Sequence, residues 1–196
     1  MAKLTPEEAR VDNAFRRLNR RLQTAYNSLG PDSEVYSKLE SYATSLGVRG
    51  ATVKTDRNGV PYVVRDKASL TKLSKSNISV NINTWLDSHT DTKTTVSNIR
   101  AQLKAKNPGL KISKGMIKAR AAAERQAKET IHQNLALLYD YEHQADFIDD
   151  ILSDWAKGTG RKTYDDIVAL AEAADKLKKQ ISQGSIQQAP PKSPFD

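Results

Sequence analysis

The feature that most constrains the fold is a first predicted helix whose two ends are both marked in the sequence. Thr5, Pro6 and Glu8 form a capping box with proline at the first helical position, and Gly30-Pro31 stops the pattern. Between these signals, apolar residues recur at alternating spacings of four and three: Val11, Phe15, Leu18, Leu22, Ala25 and Leu29. This spacing places them on one stripe, so the sequence predicts an amphipathic helix from Pro6 to Leu29.

The remaining pattern predicts further helices and one β-hairpin. Ser33 can cap a second helix that forms a helical hairpin with the first. Residues 51–65 alternate around Asn58-Gly59, which predicts a β-hairpin that leans on a helix, because isolated two-stranded hairpins are marginal. Over residues 66–90 the sequence predicts a short helix followed by polar connecting chain. Later helices are predicted over residues 91–106, 113–141, 144–156 and 164–182.

The predicted fold class is therefore mostly α, within α+β: helical hairpins, one β-hairpin near residues 51–65 and a long central helix. Three regions are predicted along the chain. Residues 1–110 form a basic N-terminal subdomain, and residues 111–182 form the long helix with an acidic helical module. Residues 183–196 are polar and proline-rich and are predicted to be a disordered tail.

The charges are distributed unevenly along the chain, whose net charge is +8. Residues 1–128 carry 24 basic and 11 acidic side chains, whereas residues 129–175 carry 3 basic and 11 acidic. A basic two-thirds joined to an acidic module indicates two tasks, with the basic part a candidate for binding a polyanion such as DNA. The alternative is that long exposed helices carry these charges for solubility.

Composition excludes several classes of function. Cysteine is absent, which excludes disulfides, thiolate zinc sites and cysteine nucleophiles. No segment has the roughly 20 apolar residues needed to cross a bilayer, so no membrane partner is predicted. The sequence contains no phosphate-binding loop, dinucleotide fingerprint or nucleophile elbow, and we predict a protein that is not an enzyme and has no metal or cofactor.

The first predicted helix carries a concentrated positive face. Five arginines lie off its apolar stripe: Arg10, Arg16, Arg17, Arg20 and Arg21. Guanidinium groups make bidentate contacts to phosphate, so we predict that this face binds the DNA backbone. If the last four each neutralise one phosphate, they contribute about −3.6 to the slope of log affinity against log salt. The alternative is pairing with Asp32, Glu34 and Glu40 of the next helix.

A second basic cluster straddles the turn before the long helix. It comprises Lys104, Lys106, Lys111, Lys114, Lys118 and Arg120. The order of helix, turn and Ser-capped basic helix resembles a helix-turn-helix, but the turn at residues 107–112 is longer than the usual three or four residues. Lysines at the start of the long helix favour phosphates over base edges. We therefore predict backbone contact with little sequence preference.

The acidic module invites a metal-site interpretation, because His143, Asp146 and Asp150 could share one helix face. Neighbouring apolar residues account for the inward face, however, and no second helix offers a matching carboxylate pair. These acids are therefore predicted to face solvent.

The order of these parts resembles the terminal proteins of tailed phages that prime DNA replication with a protein. The resemblance rests on AFRRLNRRLQTAY, on the long-helix stretch KGMIKARAAAERQAKETIHQNLALLYDYEHQ, and on the acidic stretches FIDDILSDW and TYDDIVALAEAADKL. It implies a DNA-binding basic region, and an acidic helical bundle through which a DNA polymerase or another protein is contacted. It also implies a hydroxyl that receives the first nucleotide, and a location in the host cytoplasm or the virion.

Under this resemblance the acceptor hydroxyl lies on an accessible loop of the acidic module, because it must enter the polymerase site and align for in-line attack. Thr159, between Gly158 and Gly160, meets this requirement best. Thr163 and Tyr164 lie at a predicted helix start and are second choices. The alternative is that this glycine-flanked loop is only a flexible connector.

Two other classes of function stay open at this point. The chain could be a DNA-binding regulator that uses the cluster at residues 104–120. It could also be an interaction protein without nucleic acid, such as a virion or scaffolding component or an inhibitor of a host system. Salt-dependent DNA binding separates the interaction protein from the other two, and a polymerase-dependent nucleotide adduct identifies the priming protein.

Overall fold

A computed structural model describes residues 3–89, 91–134 and 164–183 of the chain. The elements run in the order α1 (Pro6–Leu29), α2 (Glu34–Ser45), β1 (Val53–Thr55), β2 (Pro61–Val63), α3 (Lys67–Leu73), α4 (Ile78–Ser88), α5 (Thr92–Lys106), α6 (Lys114–Gln133) and α7 (Tyr164–Ser182). The predicted fold class is confirmed, since the described chain is mostly α with one two-stranded antiparallel hairpin.

Helix α1 begins and ends where the sequence predicts. The Thr5 hydroxyl accepts a hydrogen bond from the Glu8 amide (3.2 Å), and the Thr5 amide donates to a Glu8 carboxylate oxygen (2.9 Å). At the other end Gly30 has φ of 84°, a left-handed conformation that glycine adopts without strain. The apolar stripe is buried along its whole length, as predicted.

Helix α1 is also the element around which the first compact unit, Met1–Ala122, is built. It packs against α2, β2, α3, α4 and α5. One core contains side chains from α1 through α4 and from both sides of the hairpin turn, with Phe15, Leu18 and Leu22 fully buried. Burying such side chains is the main favourable term in folding, so the stripe on α1 determines where the other elements pack.

The β-hairpin packs into the main core through Val60 and Val63 and is hydrogen-bonded to α1 by the side chain of Asn19. Val53 pairs with Val63 and Thr55 pairs with Pro61 across the two strands. The amide group of Asn19 donates to the Val63 carbonyl (2.9 Å) and accepts from the Val63 N–H (2.8 Å). The prediction that this hairpin leans on a helix is therefore confirmed.

The region after the hairpin differs from the prediction in its second half. Helix α3 matches the predicted short helix, but residues predicted as polar connecting chain form α4. Its buried side chains are spaced four residues apart, at Ile78, Ile82 and Leu86. The segment is rich in β-branched residues and asparagine, which have low helix propensity, so packing against α1 overrides local preference.

Helix α5 begins and ends close to its predicted positions, and α6 begins close to its own. The predicted end of α6, at residue 141, lies outside the described residues. The Ser113 hydroxyl accepts from the Met116 amide (3.2 Å), which is the predicted cap of α6. A second small core joins Leu29 of α1, Ile99 of α5 and Ile117 of α6. The first compact unit ends at Ala122 and the second begins at Ala123, within α6. The boundary that the sequence predicts after residue 110 stays a prediction.

In the second unit, Ala123–Asp196, the structure describes the end of α6 and helix α7. Helix α7 matches the range predicted from the sequence, and Ile167, Leu170 and Ala174 on it are buried. The predicted helix over residues 144–156 lies outside the described residues.

Candidate nucleic-acid interface

The arginines of α1 lie on its outer sides, away from the buried stripe. Arg10, Arg16 and Arg20 are exposed, while Arg17 and Arg21 are half-buried. An arginine on these sides can bind an external ligand only if its guanidinium is not already paired with an acid of the protein. Three of the five are engaged.

Arg16 shares a carboxylate with a residue far along the chain. Its guanidinium lies 3.1 Å from Asp12 one helical turn earlier, and Arg65 donates two hydrogen bonds to the same carboxylate (2.7 and 2.9 Å). Asp12 is 7% exposed, so this is a buried acid held by two cations. The hydrogen bonds from Arg65 in particular hold the pKa of Asp12 below its ordinary value.

Two further arginines of α1 are tied to later helices. Arg17 donates to Asn83 (2.8 Å) and forms an ion pair with Asp87, both on α4. Arg21 lies 3.8 Å from the carboxylate of Asp91, which is the N-cap of α5. The acids that engage these arginines are therefore not those that the sequence suggested in the following helix.

Arg10 and Arg20 make no ion pair with any residue that the structure describes. Both are exposed. Of the predicted phosphate-binding face on α1, these two guanidiniums are the part that the fold leaves open to an external anion.

The second cluster lies in a stretch without acidic residues, residues 92–123, which we call the acid-free segment. It contains eight basic residues and no Asp or Glu. Lys104, Lys106, Lys111 and Lys114 are exposed, and the methylene stem of Lys118 lies against Gly30. Arg120 is half-buried and donates to Gln102 (2.9 Å).

Four of these lysines have no ion-pair partner within the described ranges: Lys104, Lys111, Lys114 and Lys118. They lie at the end of α5, in the connecting turn and in the first turns of α6. Charges that face water without a nearby acid produce a positive surface potential, which is the electrostatic property that phosphate binding needs.

Sequence reasoning missed two basic residues of the same segment. Lys93 and Arg100 lie on α5, are exposed, and likewise form no ion pair in the part of the chain that the structure describes. The signal that could have found them is the length of the acid-free segment, which begins well before Lys104.

The predicted nucleotide acceptor, Thr159, lies outside the described residues, as do Thr163 and the candidate cation cluster around His143. Tyr164 is the first residue of α7. Among the described residues, no group of three or more His, Asp or Glu side chains is arranged to hold a metal ion. None of the helices described here is both long enough and apolar enough to cross a membrane.

Comparison of the chain with protein families, with curated proteins and with solved structures gave no match.

Proposed function

We propose that this chain binds duplex DNA through the phosphate backbone, with little preference for base sequence. The observation that carries the proposal is the acid-free segment, in which Lys104, Lys111, Lys114 and Lys118 are without an ion-pair partner in the described structure. Arg10 and Arg20 of α1 are supplementary contacts, since neither is paired there with an acid.

The types of residue at the surface favour backbone contact over base reading. Specific recognition of bases uses bidentate arginine, asparagine or glutamine side chains in the major groove. The first turn of α6 instead presents Lys114 and Lys118 around Gly115 and Met116. Lysine is a flexible point charge, which suits a contact to phosphate wherever the backbone passes.

The experiment is a set of binding isotherms of the whole chain on duplex DNA at several salt concentrations. Replacing Lys104, Lys111, Lys114 and Lys118 with Ala is expected to flatten the slope of log affinity against log salt by about 3.6, at about 0.9 per phosphate contact. A scrambled duplex of the same length is expected to bind within about threefold of the first, because backbone contacts carry no sequence information.

The matched control removes four cations elsewhere: Lys3, Arg49, Arg57 and Lys75, all exposed. It changes the net charge equally, so a slope change as large as that of the first variant would mean that only overall charge matters. Absence of DNA binding by the unmodified chain would refute the proposal and favour the interaction protein with an acidic partner. Strong preference for one duplex would favour the DNA-binding regulator.

The resemblance to phage terminal proteins supports a finer proposal, in which the DNA-bound chain primes replication. The Thr159 hydroxyl would attack the α-phosphate of a deoxynucleoside triphosphate in the polymerase site, forming a phosphodiester and releasing pyrophosphate while its proton passes to solvent. Polymerase-bound metal ions supply the charge stabilisation, so this chain needs no general base. A DNA polymerase contacted through the acidic helices is the partner of this reaction.

This finer proposal has its own test. The chain is incubated with its cognate polymerase, magnesium and labelled deoxynucleotides, and any adduct is mapped by mass spectrometry. An adduct that is lost in Thr159→Val supports Thr159 as the acceptor. The polar tail predicted over residues 183–196 also offers hydroxyls, and an adduct on one of them, such as Ser185, would keep the priming function and discard Thr159. No adduct while the polymerase extends ordinary primers would discard priming altogether.

A further inference from the structure

A groove of about 220 Å³ lies between α1 and α5. Thr24 and Ser28, one turn apart on α1, form one wall, and Thr92, Lys93, Ser97 and Arg100 of α5 contribute to the other. Among the described residues, none that lines it is acidic. Since a water molecule occupies about 30 Å³ in the liquid, the groove has room for a tetrahedral oxyanion and several waters.

The wall formed by α5 is arranged to bind an anion. Lys93, Ser97 and Arg100 are spaced by four and three residues, so they share one side of the helix with the hydroxyl between the two cations. Both cations are exposed and, among the described residues, neither forms an ion pair. The carboxylate nearest in sequence, Asp91, is engaged by Arg21.

An independent observation in the same groove is a buried hydroxyl whose hydrogen-bonding capacity is unused among the described residues. Thr92, a lining residue, is 2% exposed, and its hydroxyl oxygen has no hydrogen-bond partner in the described structure. Buried polar groups almost always have a partner, so an unsatisfied hydroxyl requires an explanation such as a bound ion or water. Thr92 is also the first residue of the 15-residue α5, and Asp91 makes no side-chain hydrogen bond to the amides there.

We infer that this groove binds one phosphate group, and that the phosphate belongs to the backbone of a nucleic-acid strand. The second part rests on the proposed DNA-binding function. Lys93, Arg100 and Lys104 follow one another along the exposed side of α5 over 11 residues, about 16 Å at about 1.5 Å per residue. The two cations of the groove are thus the first members of a row of cations along α5 that continues into the α5–α6 turn.

The cations are tested by the variant Lys93→Ala/Arg100→Ala in salt-dependent duplex binding. Loss of one phosphate contact is expected to flatten the slope by about 0.9. The matched control, Arg57→Ala/Lys75→Ala, also removes one arginine and one lysine that are exposed and do not line the groove, and it is expected to leave the slope unchanged. Thermal unfolding of both variants checks that the fold is intact.

The hydroxyl is tested by Thr92→Val, which keeps the side-chain shape. It is expected to weaken binding at fixed salt by roughly two- to tenfold, the value of one hydrogen bond, without changing the slope, because the hydroxyl carries no charge. Amide NMR shifts of residues 92–94 on addition of inorganic phosphate report binding of the anion alone.

The outcomes separate the two proposals. DNA binding whose slope and strength are the same in the groove variants and the unmodified chain would overturn the groove and leave the DNA-binding function standing. Phosphate-induced shifts at residues 92–94 without DNA binding would overturn the nucleic-acid assignment and identify the groove as a site for free phosphate. Neither shifts nor DNA binding would overturn both.

Discussion

The arginine face of α1 and the acid-free segment are both strongly basic in sequence, yet the fold uses their charges differently. On α1, Arg16, Arg17 and Arg21 each lie beside an acid. In the acid-free segment, Lys111 and Lys114 extend into solvent without such a partner in the described structure. The comparison teaches that the density of cations along a sequence does not measure the charge that is available to a ligand.

The reason lies in the packing of α1. Helix α1 packs against α2, β2, α3, α4 and α5 and therefore meets the acids that these elements and their caps carry. Its arginines become part of the internal structure. In the turn between α5 and α6, none of the residues 107–111 is buried. The lysine side chains there stay hydrated, so a phosphate that binds them displaces water and does not have to break an existing ion pair.

The largest expected effect is the difference in salt slope between the arginine variant of α1 and the lysine variant of the acid-free segment. Replacing Arg16, Arg17, Arg20 and Arg21 with Ala is expected to flatten the salt slope by only about 0.9, against about 3.6 for the four lysines, because Arg20 alone among these arginines has no ion-pair partner in the described structure. Isotherms of both variants on one duplex make the measurement. Equal slope changes would break the comparison.

The next effect concerns stability. Asp12→Ala is expected to lower the free energy of unfolding by about 1–3 kcal/mol, because it leaves Arg65 without its carboxylate while water can still reach the guanidinium. Urea unfolding gives the value. Asp32→Ala, an exposed acid, is the control and is expected to change stability by less than about 0.5 kcal/mol. A loss as small as that of the control would show that the α1 pairs are not structural.

The buried acids of α1 also determine how stability depends on pH. Glu8 is 3% exposed and receives hydrogen bonds from Lys67, Thr71 and Thr5, which lower its pKa from 4.5 to about 2. A carboxyl whose pKa is lower in the folded state stabilises the fold above its unfolded value and loses that contribution as pH falls. Stability is therefore expected to decrease from about pH 4.5 towards pH 2.

Thermal unfolding between pH 6 and pH 2 checks this dependence. Glu8→Gln is expected to be less stable at pH 6 and to show a shallower decline below pH 4.5, since it has no proton to gain. A decline as steep as that of the unmodified chain would assign the acid sensitivity to other carboxyls, such as Asp12, whose pKa is also lowered.

The smallest expected effect is the coupling between Arg17 and Asp87. Their side chains are 41% and 63% exposed, so solvent screens the pair, and a double-mutant cycle is expected to give about 0.2–1 kcal/mol. The coupling should decrease with added salt. A cycle between Arg10 and Asp87 is expected to give none, and similar values for the two cycles would mean that the observed pair does not contribute to stability.

Local signals explain why much of the fold follows from the sequence. The Thr5–Glu8 capping box, the Ser113 cap and the turn at Gly59 each act over a few residues, so the sequence contains all the information they need. Helix α4 lacks such a signal: Asn77 makes no side-chain cap hydrogen bond, and its helical state depends on burial of Ile82 and Leu86 against distant elements. The prediction there is wrong for that reason.

For the candidate DNA-binding surface, too, one part follows from the sequence and another only from the tertiary structure. The sequence by itself determined where cations are dense and where acids are absent, because composition along the chain is independent of how the chain folds. Only the tertiary structure decided which cations are engaged, since Arg17 finds its acid 70 residues away and Asp12 receives Arg65 from 53 residues away. Ion pairs form over a few ångströms in space, and sequence separation of that size contains no information about such distances.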